Sequence, residues 1–187
     1  KGKVSSAILR MAVPLTIAQM VNVLYNLVDR MYIGHIPGTG ALALTGLGLA
    51  MPLISIITAF ANLCGTGGGP LCSISRGEGN REKAEWVMGN ALAMLLILGV
   101  ALTAVLELFM EDILYLFGAS SETFPYAATY ARIYLLGTVF TMLSLGMNAF
   151  INSQGFAKMG MVTVLLGAAV NIVLDPFFIF DEISVLG

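Results

Sequence analysis

The 187 residues are 58% hydrophobic and 11% charged, with a mean hydropathy of +0.89 and a net charge of −2. A soluble domain carries about 25% charged residues, so this composition excludes a soluble globular protein and predicts an integral membrane protein. Membrane lipid is then the first expected partner, and no nucleic-acid partner is expected.

A membrane-crossing helix needs about 20 apolar residues, because roughly 30 Å of hydrocarbon is traversed at 1.5 Å per residue. Five stretches qualify: 7–33, 41–74, 87–109, 126–151 and 159–180. Barrel strands would be about 10 residues long with alternating polarity. The long apolar runs do not read that way, so the expected fold is all-α, a polytopic transmembrane helix bundle.

The first span is too long, and lacks the small-residue site, for a cleavable signal. Pro14 lies within its first two turns, where it either bends the helix or marks its start. At about 100° per residue, Gln19, Asn22, Tyr25, Asn26 and Asp29 fall on one stripe. Met20, Val21, Val23, Leu24, Leu27 and Val28 take the other side. Amides alone often serve as hydrogen-bonding glue between membrane helices, at about 0.6 kcal/mol each. An ionised aspartate in hydrocarbon costs roughly 2.5–3.5 kcal/mol. Asp29 therefore turns the stripe into a candidate cavity wall, although an interfacial cap is an open alternative for it.

The second span contains Pro52 and then the run Gly65-Thr-Gly-Gly-Gly-Pro70. Such a run is not expected to form regular helix in lipid, so it faces protein or lies at the inner interface. It is not a phosphate loop, because no Lys-Ser/Thr follows. Cys64 and Cys72 read as free thiols serving as small apolar residues beside a reducing cytoplasm. The single histidine, His35, falls in an outer loop, and no metal site is expected.

After a charged turn at 76–85, the third span is almost unbroken Leu, Ala, Val and Met, expected to face lipid or pack. Trp86 marks its inner interface, and Glu107 its outer end. A short amphipathic helix is expected within 111–124. The fourth span carries Tyr130 and Arg132 near its outer end, where Arg132 either pairs with an intramembrane acid or anchors the interface.

In the fifth span Asn171 and Asp175 are one helical turn apart and share a face. Gly160, Gly167 and Ala168 nearby permit close helix approach. Pro176 leaves a carbonyl near Ile172 without its usual donor. A carboxylate, an amide and a freed carbonyl together suit a proton or a small hard cation.

Seven of the nine Lys and Arg residues fall on the side of the N-terminus, and only Arg30 and Arg132 on the other. That bias predicts a cytoplasmic N-terminus, in a bacterial inner or plasma membrane. A desolvated acid can load and release a proton near neutral pH. Alternating access coupled to Asp29 and Asp175, with the bend near Pro14 switching, is the mechanism this pattern suggests.

Several of these motifs occur together in one known family. Pro14, Tyr25-Asn-Leu-Val-Asp29 and Ile33-Gly34 resemble the first helix of the multidrug and toxic compound extrusion (MATE) transporters. So do Arg76-Gly-Glu-Gly-Asn80, Asn148…Gln154-Gly155 and Asn171-Ile-Val-Leu-Asp175-Pro176, in the family's order and over essentially the whole chain. The resemblance implies a twelve-helix antiporter of two six-helix lobes, exporting bulky, often cationic drugs on a proton or sodium gradient, with no other cofactor and no enzymatic activity. It implies Asp29, Asn171 and Asp175 as the cation or proton site, with Tyr25, Tyr130 and Asn148 lining the cavity; Asn22 and Asn26 join that wall from the stripe reading. By count, Asn148 lies near the inner end of span four, away from the two acids. Many members carry Arg where this chain has Asn152. Five spans cover only part of an N-terminal lobe; the sixth helix and C-terminal lobe are expected as missing partners, and the chain as an inactive fragment.

Three other readings fit less of the sequence. A lipid-linked saccharide flippase of the same superfamily would line its cavity with several Arg and Lys, whereas only Arg132 is intramembrane. A membrane enzyme would need a motif such as His-Glu-x-x-His or Gly-x-Ser-x-Gly. A non-transporting scaffold subunit would use its polar residues as glue.

Overall fold

The computed structural model describes the backbone of residues 4–181 and the side chains of residues 8–174. The described residues are all-helical: α1 (Val4–Gly34), α2 (Gly40–Gly77), α3 (Arg81–Leu108), α4 (Met110–Leu116), α5 (Phe124–Leu136), α6 (Thr138–Ser153) and α7 (Ala157–Asp181). Four stretches are long and apolar enough to cross a membrane singly: Ile8–Gly34, Gly40–Gly77, Arg81–Leu108 and Ala157–Leu174. The expected fourth span is broken instead. α5 and α6 meet at Gly137 with a bend of 59° and qualify as a span only as a pair. Gly137 still donates to the Tyr134 carbonyl at 3.0 Å, and Thr141 donates to the Gly137 carbonyl, so few backbone groups are lost at the break.

The chain divides into two compact units. One comprises the residues up to Leu44 and those from Gly155 onward. Within it α1 and α7 pack along each other. Pro14 is buried inside α1, which runs on through it, so it does not mark a helix start. Small residues of α7 (Ala157, Gly160 and Ala168) are buried, and side chains such as Leu166 and Val170 are exposed.

The other unit, Thr45–Gln154, holds the larger core. Leu53, Ile57, Leu95, Leu114, Leu135 and Met142 are almost completely enclosed. Lipid is as apolar as these side chains, so their association rests on close dispersion contact rather than on escape from water. That requirement explains the glycine run of α2. The helix continues through Gly65–Pro70 to Gly77, contrary to the expectation of an irregular segment. A Cβ on Gly65 would lie 2.9 Å from the Gly146 carbonyl of α6, and one on Gly68 would lie 2.6 Å from Phe150 Cζ. Gly65, Gly68 and Gly69 thus face α6 and let the two helices approach at backbone distance, while Thr66, Gly67 and Pro70 are exposed.

α3 is more ordered in its packing than an undifferentiated apolar helix. Ala84, Ala91, Leu95, Gly99 and Leu106 form its buried stripe, and the opposite residues, such as Ile97 and Val100, are exposed. Asn80 caps it by accepting from Lys83 N at 3.0 Å. The turn before it depends on Gly79 at φ +77°, a conformation that favours glycine. The short amphipathic helix expected within 111–124 is present as α4, which buries Met110 and Leu114.

Candidate ion-coupling site

Three and four residues make one helical turn, so Asn22, Tyr25, Asn26 and Asp29 recur on one side of α1. All four are half-buried, and Met20, Val23, Leu24 and Leu27 of the predicted apolar face are each more than half exposed; Val21 and Val28 of that face are half-buried instead. Gln19, the first residue of the predicted stripe, is exposed. Asn26 Nδ2 donates to the Asn22 carbonyl at 2.7 Å and to Asn22 Oδ1 at 2.8 Å. The two amides therefore brace each other one turn apart, on the face that leads to Asp29.

α7 carries the other half of the predicted site and packs along α1 in the same unit. Asn171 lies on α7 with its side chain exposed rather than packed away. Asp175 falls within the backbone span of α7, but its side chain, like Pro176, lies outside the described residues.

Tyr130 and Asn148, which the resemblance also assigns to a cavity wall, belong to the other unit. Tyr130 on α5 is half-buried and stacks on Tyr134, with ring centroids 6.3 Å apart. Asn148 on α6 is half-buried and accepts from Asn152 Nδ2 at 2.8 Å. Asn152 thus serves to hold Asn148.

Arg132 pairs with Glu107 of α3, Nε to Oε1 at 3.0 Å. This ties α5 to α3, with Glu107 near the end of α3 as the acid. A second connection, which the sequence does not announce, joins two motifs: Arg76 Nη1 donates to Gln154 Oε1. Each residue is conspicuous within its own segment; nothing in either spacing says that they meet.

The fold is a membrane helix bundle with a polar, acid-bearing stripe on a packed helix. The MatE family model matches residues 14–177, and the chain belongs to that family. The family's members are transporters, not enzymes. The chain is 27% identical to the multidrug export protein MepA of Staphylococcus haemolyticus (strain JCSC1435) over 188 aligned residues, covering all of this chain and 41% of that protein. It is 25% identical to MepA of Staphylococcus aureus (strain NCTC 8325 / PS 47), with the same coverage. Among solved structures it is similar to an outward-facing multidrug resistance MATE transporter of the MOP superfamily (30% identity, TM-score 0.89, 97% of this chain and 40% of that one). It is similar, too, to a MATE transporter in a bent conformation (31% identity, TM-score 0.87, 97% and 40%). A MOP superfamily transporter from Pyrococcus furiosus, described as having a binding pocket of reverse polarity and a different function, matches at 30% identity and TM-score 0.89, over 97% and 39%. The chain spans about two fifths of the length of the relatives it matches.

Proposed function

We propose that this chain forms part of the first lobe of an ion-coupled antiporter, which exports bulky organic cations by alternating access from a cytoplasmic N-terminus. Asp29, Asn171 and Asp175 load the coupling ion, a proton or Na⁺. Asn22, Tyr25 and Asn26 set the polarity of the wall beside it, and Tyr130 and Asn148 line the substrate path.

One observation carries this reading. Asp29 is half-buried together with Asn22, Tyr25 and Asn26, on a helix that packs along the one bearing Asn171 and Asp175. A helix kept only for hydrophobic anchoring has no need to keep an aspartate half-buried. Export of drugs is what the names of the MepA relatives state for those proteins, and it supports the same activity here. The mechanism needs α1 to change its packing when Asp29 changes charge, and Pro14, buried in mid-helix, supplies the weak point in its hydrogen-bond ladder.

The test is efflux of a fluorescent cation from cells lacking other exporters, expressing the protein from its complete reading frame. Efflux should stop when either the proton or the sodium gradient is dissipated, which also identifies the ion. Efflux indifferent to both gradients, or absent from well-expressed protein, would refute the proposal.

A further inference from the structure

The unit formed by Thr45–Gln154 contains a cavity of about 470 Å³ lined by Cys72, Arg76, Arg81, Ala84, Glu85, Met88 and Gln154, with Gly79 at the turn. It lies where α2 ends, α3 begins and α6 ends. Two guanidinium groups and one carboxylate give it a net positive charge of one. Neither arginine is used up by its partner. Arg76 gives Nη1 to Gln154 Oε1, and Arg81 gives Nε to Glu85 Oε1 at 3.0 Å. Each guanidinium has five N–H donors in a planar fork, so most of both forks remain for a third party.

Arg76 is also held in place, whereas Arg81, with a side chain 90% exposed, is steadied only by Glu85 one turn on. Gln154 Nε2 contacts Met88 Sδ at 3.8 Å while its Oε1 takes Arg76, which fixes the amide's orientation. Cys72 Sγ donates to the Ala84 carbonyl at 3.6 Å, and Ser73 Oγ donates to the Ser153 carbonyl, tying α2 to the start of α3 and the end of α6. Trp86, 69% exposed one turn into α3, sits where an indole marks a membrane interface. The cavity is therefore at headgroup depth, whichever side of the membrane it faces.

We propose that this cavity binds a phosphate-bearing anion through Arg76 and Arg81. Paired arginine forks match phosphate oxygens in geometry as well as charge, and basic pockets between membrane helices hold lipid headgroups by this chemistry. The phosphate belongs to an anionic phospholipid or to a soluble phosphate compound. The site is separate from the Asp29 stripe, and it does not depend on transport activity or on the orientation of the chain.

The experiment is lipid retention, by native mass spectrometry, of the protein expressed from its complete reading frame. The protein is reconstituted in phosphatidylcholine with or without phosphatidylglycerol, and inorganic phosphate and glycerol phosphate are added in parallel. Wild type should retain phosphatidylglycerol over phosphatidylcholine. The double variant Arg76→Gln, Arg81→Gln should lose about tenfold in that preference, equivalent to about 1.4 kcal/mol shared between the two arginines. Lys158→Gln, outside the cavity lining, should retain it. Gln154→Leu keeps both charges but frees Arg76, and should weaken retention in a protein that folds even where the double variant does not. Displacement of the lipid by soluble phosphate at matched concentration would assign the site to a soluble compound. Equal retention of both lipids, with no effect of Gln154→Leu and no binding of soluble phosphate, would overturn the proposal.

Discussion

Arg132 on α5 and Glu107 on α3 are joined at 3.0 Å, with their side chains 64% and 40% exposed. Pairs this open contribute about 0.2–1 kcal/mol or less. Arg132→Gln should therefore lower the unfolding temperature only slightly, and cation efflux should stay near wild type. A large loss of transport in a stable Arg132→Gln protein would show that the arginine acts on the ion site.

The glycines of α2 separate by what they face. Gly65 meets the Gly146 backbone, whereas a Cβ on Gly67 meets nothing within 4 Å. Gly65→Val should cost about 1–3 kcal/mol through overpacking and reduce the yield of monodisperse protein. Gly67→Ala should be neutral or stabilise by up to about 1 kcal/mol, since alanine loses less backbone entropy in a helix. Thermal melts in detergent check both; equal effects would mean that the α2–α6 seam is not as close as described.

Gly79 is constrained by its φ of +77° rather than by space. Gly79→Ala should cost about 1–2 kcal/mol of left-handed strain and loosen the turn that positions Arg76 and Arg81. A thermal melt measures that cost; an unchanged melting temperature would indicate that the turn relaxes without strain.

Orientation has its own test. With Cys64 and Cys72 both buried and unpaired, they can be replaced and single cysteines introduced. Cysteine at Glu78 should react with an impermeant maleimide only after the cells are opened, and cysteine at Ser121 should react in intact cells. The reverse pattern would put the N-terminus outside.

Much of this architecture is legible in the sequence because the bilayer imposes it. Hydrocarbon thickness fixes span length, so α1, α2, α3 and α7 fall close to the expected stretches. The cost of exposing amides to lipid confines the polar residues from Asn22 to Asp29 to one stripe, which shows in their spacing alone. Contacts between distant residues leave no such periodic mark. Gly137 is a lone glycine in an apolar run, and only the packing of α5 and α6 reveals the 59° bend there. Gly65–Pro70 reads as a helix breaker by local propensity, but close approach to α6 makes the same residues the ones that fit. Arg76 and Gln154 lie 78 residues apart, and their meeting is a property of the fold alone. The Asn171–Asp175 pair is legible as a motif, and Asn171 is found on the helix that packs against α1.

The central claim is that Asp29 carries the coupling ion. Its most direct measurement is gradient-driven efflux of a fluorescent cation by the Asp29→Asn protein, compared with wild type at equal membrane expression. Asparagine keeps the size and polarity of the side chain and removes only its capacity for charge, so efflux should fall to background while the protein stays folded. Efflux at the wild-type rate under the same gradient would contradict the account.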